Sequence, residues 1–107
     1  MLTKEKLSQY KEFFFTNDDT CREVLQILAL MSNKIRLQIL CLLCEDEFYV
    51  NEIVEIVEGK ASNVSQQLKM LSLAGYIKGA RNEKNIHYSL KNGKIKKIIR
   101  QLQQMFT

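Results

Sequence analysis

Apolar positions recur along this chain first at helical spacing and then, over one short stretch, at the spacing of a strand. Between Thr3 and Phe15 the residues Leu7, Tyr10, Phe13 and Phe14 fall on one side of a helix, and "TNDDT" breaks the pattern. Thr20, with Glu23 after it, makes a capping box that opens a second helix through Val24, Leu25, Ile27, Leu28 and Met31. Ser32 or Asn33 can cap a third helix, Lys34 to Cys44, closed by the acidic "EDE". "YVNEIVEIVEG" predicts a short helix with Val50, Ile53, Val54 and Val57 inward and Gly59 as its stop. In "ASNVSQQLKMLSLAG", Val64, Leu68, Leu71 and Leu73 supply the apolar positions of another helix, ended by Gly75.

The period then changes. "YIKGAR" and "IHYSL" read as strands, the second alternating Ile86, Tyr88 and Leu90 against His87 and Ser89, with "NEKN" as the hairpin tip. After "KNG" the chain closes as a helix whose stripe is Ile95, Ile98, Ile99, Leu102, Met105 and Phe106. The prediction is a mainly helical protein of five or six helices and a two-stranded hairpin. A short helix, a glycine-containing turn, a second helix and a basic hairpin outline a winged helix-turn-helix.

Length and charge narrow the function. A chain of 107 residues is expected to form one domain, residues 1–107. No apolar run approaches the roughly 18 residues a membrane span needs, so a soluble, cytoplasmic protein without a membrane partner is expected. The net charge of +4 favours a polyanionic partner. No nucleophile is paired to a base, and there is no phosphate loop and no carboxylate pair, so the chain is not expected to be an enzyme or to need a cofactor.

The helix "ASNVSQQLKML" carries the chemistry that double-stranded DNA requires. Opposite its apolar face stand Ser62, Asn63, Ser65, Gln66, Gln67 and Lys69. Amides can pair with base edges in the major groove, hydroxyls can bond bases or phosphates, and a lysine adds phosphate charge. Arg81, Asn82, Lys84 and Asn85 place cations and amides on the hairpin, where they can follow the backbone or the minor groove, with Glu83 working against them. Polar helix faces and charged turns taken singly are often merely solvated. Their succession points to DNA.

These residues carry a resemblance. "NKIRLQIL", "VNEIVEIV", "ASNVSQQLKMLSLAGYIKGAR" and "IHYSL" together resemble the ArsR/SmtB family of bacterial winged-helix repressors, from about Glu23 onward. The family commonly has "SQHLK" where this chain has Ser65 to Lys69, so Gln67 replaces a frequent histidine. The resemblance implies a homodimer built through the terminal helices, a palindromic operator, and release by an inducer. The residues support the dimer independently, because the first and last helices have no evident partner in so small a monomer. Tyr10, Phe14, Ile95, Ile98, Ile99, Leu102 and Phe106 are expected at that interface, with Lys94, Lys96, Lys97 and Arg100 as its solvated rim.

For the inducer, the family's metal sites are a guide. Where one branch has a cysteine pair on the short helix, this chain has Glu47, Phe48, Tyr49, Val50, Asn51, Glu52 and Ile53, and the last helix lacks the family's Asp, His and Glu ligands. No metal site of either type is expected. His87, the only histidine, is expected exposed on the outer face of its strand. The thiols remain: "RLQILCLLC" resembles the corresponding helix of a persulfide-responsive branch, whose sensing cysteine falls on Cys41. That branch completes its switch with a cysteine near the end of the last helix, where this chain has Thr107.

Cys41 and Cys44 share a helical face, but near the C-terminal end and before Glu45, Asp46 and Glu47, which disfavours thiolate. Cys21, at the start of its helix beside Arg22, is the better placed for activation and could pair with Cys41. Three readings stay open: thiol sensing at Cys41, Cys44 and Cys21, soft-metal or arsenite binding by all three, and cysteines that merely fill a core. A dimeric helical module without DNA binding is the rival to a repressor.

Overall fold

The computed structural model describes residues 1–16 and 18–107, the side chains of residues 14 to 16 excepted. Helix α1 spans Lys4–Thr16 and α2 spans Asp18–Met31. Thr3 opens α1 by accepting the Lys6 N–H at 3.2 Å. The second helix starts ahead of the expected capping box, leaving Thr20 inside it. Asp18 and Asp19 occupy its first turn, where carboxylates suit the positive end of the helix dipole.

Asn33 caps α3, Lys34–Glu45, by accepting the Arg36 N–H at 3.0 Å. A two-residue strand β1, Phe48–Tyr49, precedes α4, Val50–Val57. Glu52 steadies that junction by accepting the Tyr49 N–H at 2.8 Å. Then come α5, Ala61–Leu73, the hairpin β2, Ile77–Asn82, and β3, Asn85–Leu90, and finally α6, Gly93–Phe106. Gly75 ends α5 in the left-handed region expected of it, at φ +84°.

The sheet has three strands, not two, in the order β1-β3-β2, with both pairings antiparallel. Phe48 faces Tyr88 and Tyr49 faces His87 across β1 and β3. Because β3 is the central strand, its residues from Ile86 to Leu90 are all half-buried and the expected alternation is blurred. His87 is half-buried rather than exposed, its side chain 29% accessible.

Helix α3 is the hub of the packing, meeting α2, α4, α5, α6 and β3. Ile39 and Leu40 of α3, Ile53 of α4, Val64, Leu68 and Leu71 of α5, Ile77 of β2, and Ile95 and Ile99 of α6 are fully buried together. Two of those residues correct an expectation: Ile95 and Ile99 belong to the core of this chain and do not face a partner. Ile98 packs against the same core. Only the distal part of the stripe, Leu102, Met105 and Phe106, is exposed, as are Leu7 and Tyr10 on α1. Leu73, expected among the apolar positions of α5, is exposed as well. Phe14 lies, as a side chain, outside the described residues. The molecule measures 63 × 30 × 22 Å with a radius of gyration of 18.1 Å, well above the roughly 13 Å of a compact chain of this size.

Candidate nucleic-acid interface and thiol pair

The turn between α4 and α5 is set by two neighbouring residues with different tasks. Glu58, not Gly59, takes the left-handed conformation that ends α4, at φ 51°. Gly59 is required for space: a Cβ there would stand 2.9 Å from Cγ2 of the buried Val64, so α5 rests directly on the turn.

With Val64, Leu68 and Leu71 buried, the rest of α5 turns outward. Ser62, Asn63, Ser65, Gln66 and Lys69 are all exposed. Gln67 departs from them. It is only 8% exposed, its Oε1 accepts from Arg36 Nη1 at 2.9 Å, and its Nε2 donates to Asn63 Oδ1 at 3.1 Å. Gln67 is thus a bridge under the exposed row and not a member of it. Arg36, which sequence patterning did not single out, also donates from Nε to the Leu30 carbonyl at 2.8 Å and from Nη2 to that of Ala29 at 3.3 Å. Those carbonyls close α2, the negative end of a helix, where a guanidinium is favoured.

On the hairpin, Arg81, Lys84 and Asn85 are exposed, and Glu83 takes φ 58° at the tip. Asn82 is exposed as well, and its Nδ2 donates to the Tyr49 hydroxyl at 3.2 Å. Tyr49 in turn lies edge-on to His87 at 4.9 Å, and His87 Nδ1 stands 3.4 Å from Glu47 Oε2. The third strand therefore braces the hairpin from the side, a role hidden in a two-residue segment.

The three cysteines are free and dissimilar: Cys21 exposed, Cys41 half-buried, Cys44 buried. Arg22 does not serve Cys21 as expected, since its guanidinium is turned to Asp18 at 2.8 Å and Asp19 at 3.7 Å. Among the described residues no group of three or more His, Cys, Asp or Glu could hold a metal ion, so the three thiols form no soft-metal site within one chain.

Burial raises the pKa of Cys41 above the ordinary thiol value, against the pull of the Arg100 guanidinium and with a push from Glu45. Burial likewise raises Cys44, aided by Cys41 and Glu45 and opposed by Arg100 and Lys96. Arg100 is therefore no solvated rim residue. It bonds Glu45 Oε1 at 2.6 Å and the Cys44 carbonyl at 3.3 Å, clamping α6 to the end of α3. Lys94 is similarly engaged with Glu23 at 2.8 Å. Cys41 borders an open cavity of about 440 Å³, walled also by Leu37, Leu42, Ile56, Val57 and Gln103.

A helix-turn-helix whose second helix exposes a polar row, followed by a braced hairpin, defines a winged helix-turn-helix DNA-binding regulator. No single helix among the described residues is long and apolar enough to cross a membrane. Residues 33–78 match the family described as bacterial regulatory protein, arsR family. The chain is 33% identical over 84 residues to the biofilm growth-associated repressor of Xylella fastidiosa strain Temecula1, covering 78% of this chain and 74% of that protein. It is 31% identical over 80 residues to the transcriptional activator HlyU of Vibrio cholerae, covering 75% and 74%. In structure it is similar to the transcriptional repressor BigR from Xylella fastidiosa, with a TM-score of 0.80 and 28% identity over 99% of this chain and 98% of that one. The chain belongs to the ArsR family, and it is a DNA-binding transcriptional regulator, not an enzyme.

Proposed function

We propose that this regulator is a repressor that binds a palindromic operator as a homodimer, residues 1–107 acting as one DNA-binding unit, and is released when a thiol-reactive sulfur species modifies Cys41. The observation that carries the reading is the exposed row Ser62, Asn63, Ser65, Gln66 and Lys69, held rigid by the buried Val64, Leu68 and Leu71 beneath it. In this reading α5 lies in the major groove, and Arg81, Lys84 and Asn85 follow the adjacent backbone. Gln67 supports the contact surface from behind, and the exposed Asn82, steadied by Tyr49, stands with the hairpin residues that face the backbone.

Tyr10, Leu102 and Phe106 are exposed on the terminal helices and supply the shared face of two chains. Two half-sites one helical turn apart, about 34–36 Å, follow from that symmetry. Cys41 is the thiol with both partial access and a neighbouring cavity. Helix α6 carries no cysteine, so the modification is a persulfide on Cys41 or a polysulfide link to Cys44, not a bridge to α6.

Affinity for the chain's own promoter fragment at several salt concentrations tests the DNA reading. Counterion release predicts a log-log slope of about −0.9 per phosphate neutralised, and absence of binding at low salt would leave only a helical dimer module. Intact-mass measurement with a persulfide donor, beside DNA release by wild type and Cys41→Ser, tests the inducer. An unchanged mass, or equal release by the variant, removes Cys41 from the mechanism.

A further inference from the structure

Asn63 and Gln67 are amides, and an amide can show a groove either its donor end or its acceptor end. A guanidinium has no such choice, because all its polar hydrogens donate. Arg36 Nη1 lies 2.9 Å from Gln67 Oε1, so that atom is the acceptor and the orientation of Gln67 follows from chemistry. Gln67 Nε2 must then donate, and it meets Asn63 Oδ1 at 3.1 Å. With Oδ1 so engaged, Nδ2 is the end of Asn63 that remains for an outside partner, on an exposed residue in the first turn of α5. Arg36 itself is locked by the Leu30 and Ala29 carbonyls. Among the described residues it forms no ion pair, so no carboxylate competes with Gln67 for it.

We propose that Arg36, Gln67 and Asn63 form a polarity relay that makes Asn63 a hydrogen-bond donor toward DNA and so determines base preference at one position of each half-site. This rests on the reading of α5 as the helix that enters the major groove. A donor there selects bases whose edge accepts, guanine above all through O6 and N7, and rejects cytosine, whose major-groove group is the N4 donor. Gln67 is the positioning residue and Asn63 the specificity-determining one. The same side chains without the relay would leave Asn63 free to turn, accepting from cytosine or adenine as readily as donating.

Two substitutions invert the relay without removing its packing. In Gln67→Glu one carboxylate oxygen keeps the Arg36 bond while the other can only accept, so Asn63 must turn its Nδ2 inward and show Oδ1 to the groove. In Asn63→Asp, at an exposed position that leaves the core untouched, the outward group is an acceptor by composition. The full-length protein is used to select from a pool of duplexes of random sequence, and the selected pools are sequenced. Wild type is expected to favour guanine over cytosine at one position per half-site, and both variants to reverse that preference, a swing on the order of tenfold.

A merely structural Gln67 would lower affinity for all sequences alike and leave the preference in place, which would overturn the relay. Variants that keep the wild-type preference at full affinity would overturn it as well. A wild-type protein that binds duplex with no preference anywhere would instead overturn the groove reading beneath it, an outcome distinct from selectivity the variants fail to change.

Discussion

Helices α3 and α1 are of nearly equal length, 12 and 13 residues, and each carries several large apolar side chains. Their fates differ. Ile39, Leu40, Leu43 and Cys44 of α3 are buried, while the described side chains of α1 are all exposed. A single copy closes one core around α3, and it leaves a second apolar surface, on α1 and the distal turns of α6, that it cannot cover by itself. Apolar periodicity marks a face suited to burial; it does not tell whether the chain's own core covers it.

The widest separation between the two regions comes from truncation at the hub. Leu40→Ala is expected to cost about 2–5 kcal/mol, because Leu40 is fully buried and its cavity cannot collapse easily. A urea midpoint equal to that of wild type would contradict the hub role. At the other region, Tyr10→Asp combined with Phe106→Asp is expected to leave the monomer folded but weaken dimerisation on the order of tenfold or more. Sedimentation at several concentrations reads this directly, and an unchanged dimer would place the interface elsewhere.

A smaller effect is expected in alkali. Cys44 has its pKa raised by burial, so the unfolded chain releases that proton first. The contribution to stability is complete below the ordinary thiol value of 9.0 and is lost as pH rises through the raised native value. Urea unfolding at neutral and alkaline pH should show a decline that is shallower in Cys44→Ala, and parallel curves would count against it.

The smallest effect belongs to the clamp that joins α6 to α3. Arg100 holds the Glu45 carboxyl below its usual pKa, so the pair's stabilisation is present above the ordinary carboxylate value of 4.5 and fades as pH falls through the lowered one. Arg100→Gln should remove that part of the acid slope. Surface pairs contribute little, so the difference is read from the slope of stability against pH and not from the midpoint at neutral pH.

Most of the architecture was legible because its signals are local. Asn33 and Gly75 mark helix ends where the structure has them, and the change of period at Tyr76 announces the hairpin. What escaped depends on partners far away in the chain. Phe48 and Tyr49 form a strand only because β3 is there to pair with them. Gln67 looks like its neighbours Ser65 and Gln66 until Arg36 reaches it. Ile95 and Ile99 read as apolar stripe in either case, and only the packing of α6 on α3 shows that this chain uses them itself. Arg100 reads as one more rim cation beside Lys94, Lys96 and Lys97, and only the approach of α3 shows that it finds Glu45.

The 2.9 Å between the Cβ that Gly59 lacks and Cγ2 of Val64 has a consequence for how this chain can drift. The two positions share room for one methyl group, so their histories are tied. Alanine at 59 forces the stiff, buried Val64 to shift, an overpacking cost of about 1–3 kcal/mol that a smaller residue at 64 relieves, so a lineage meets the least resistance when 64 shrinks before 59 grows.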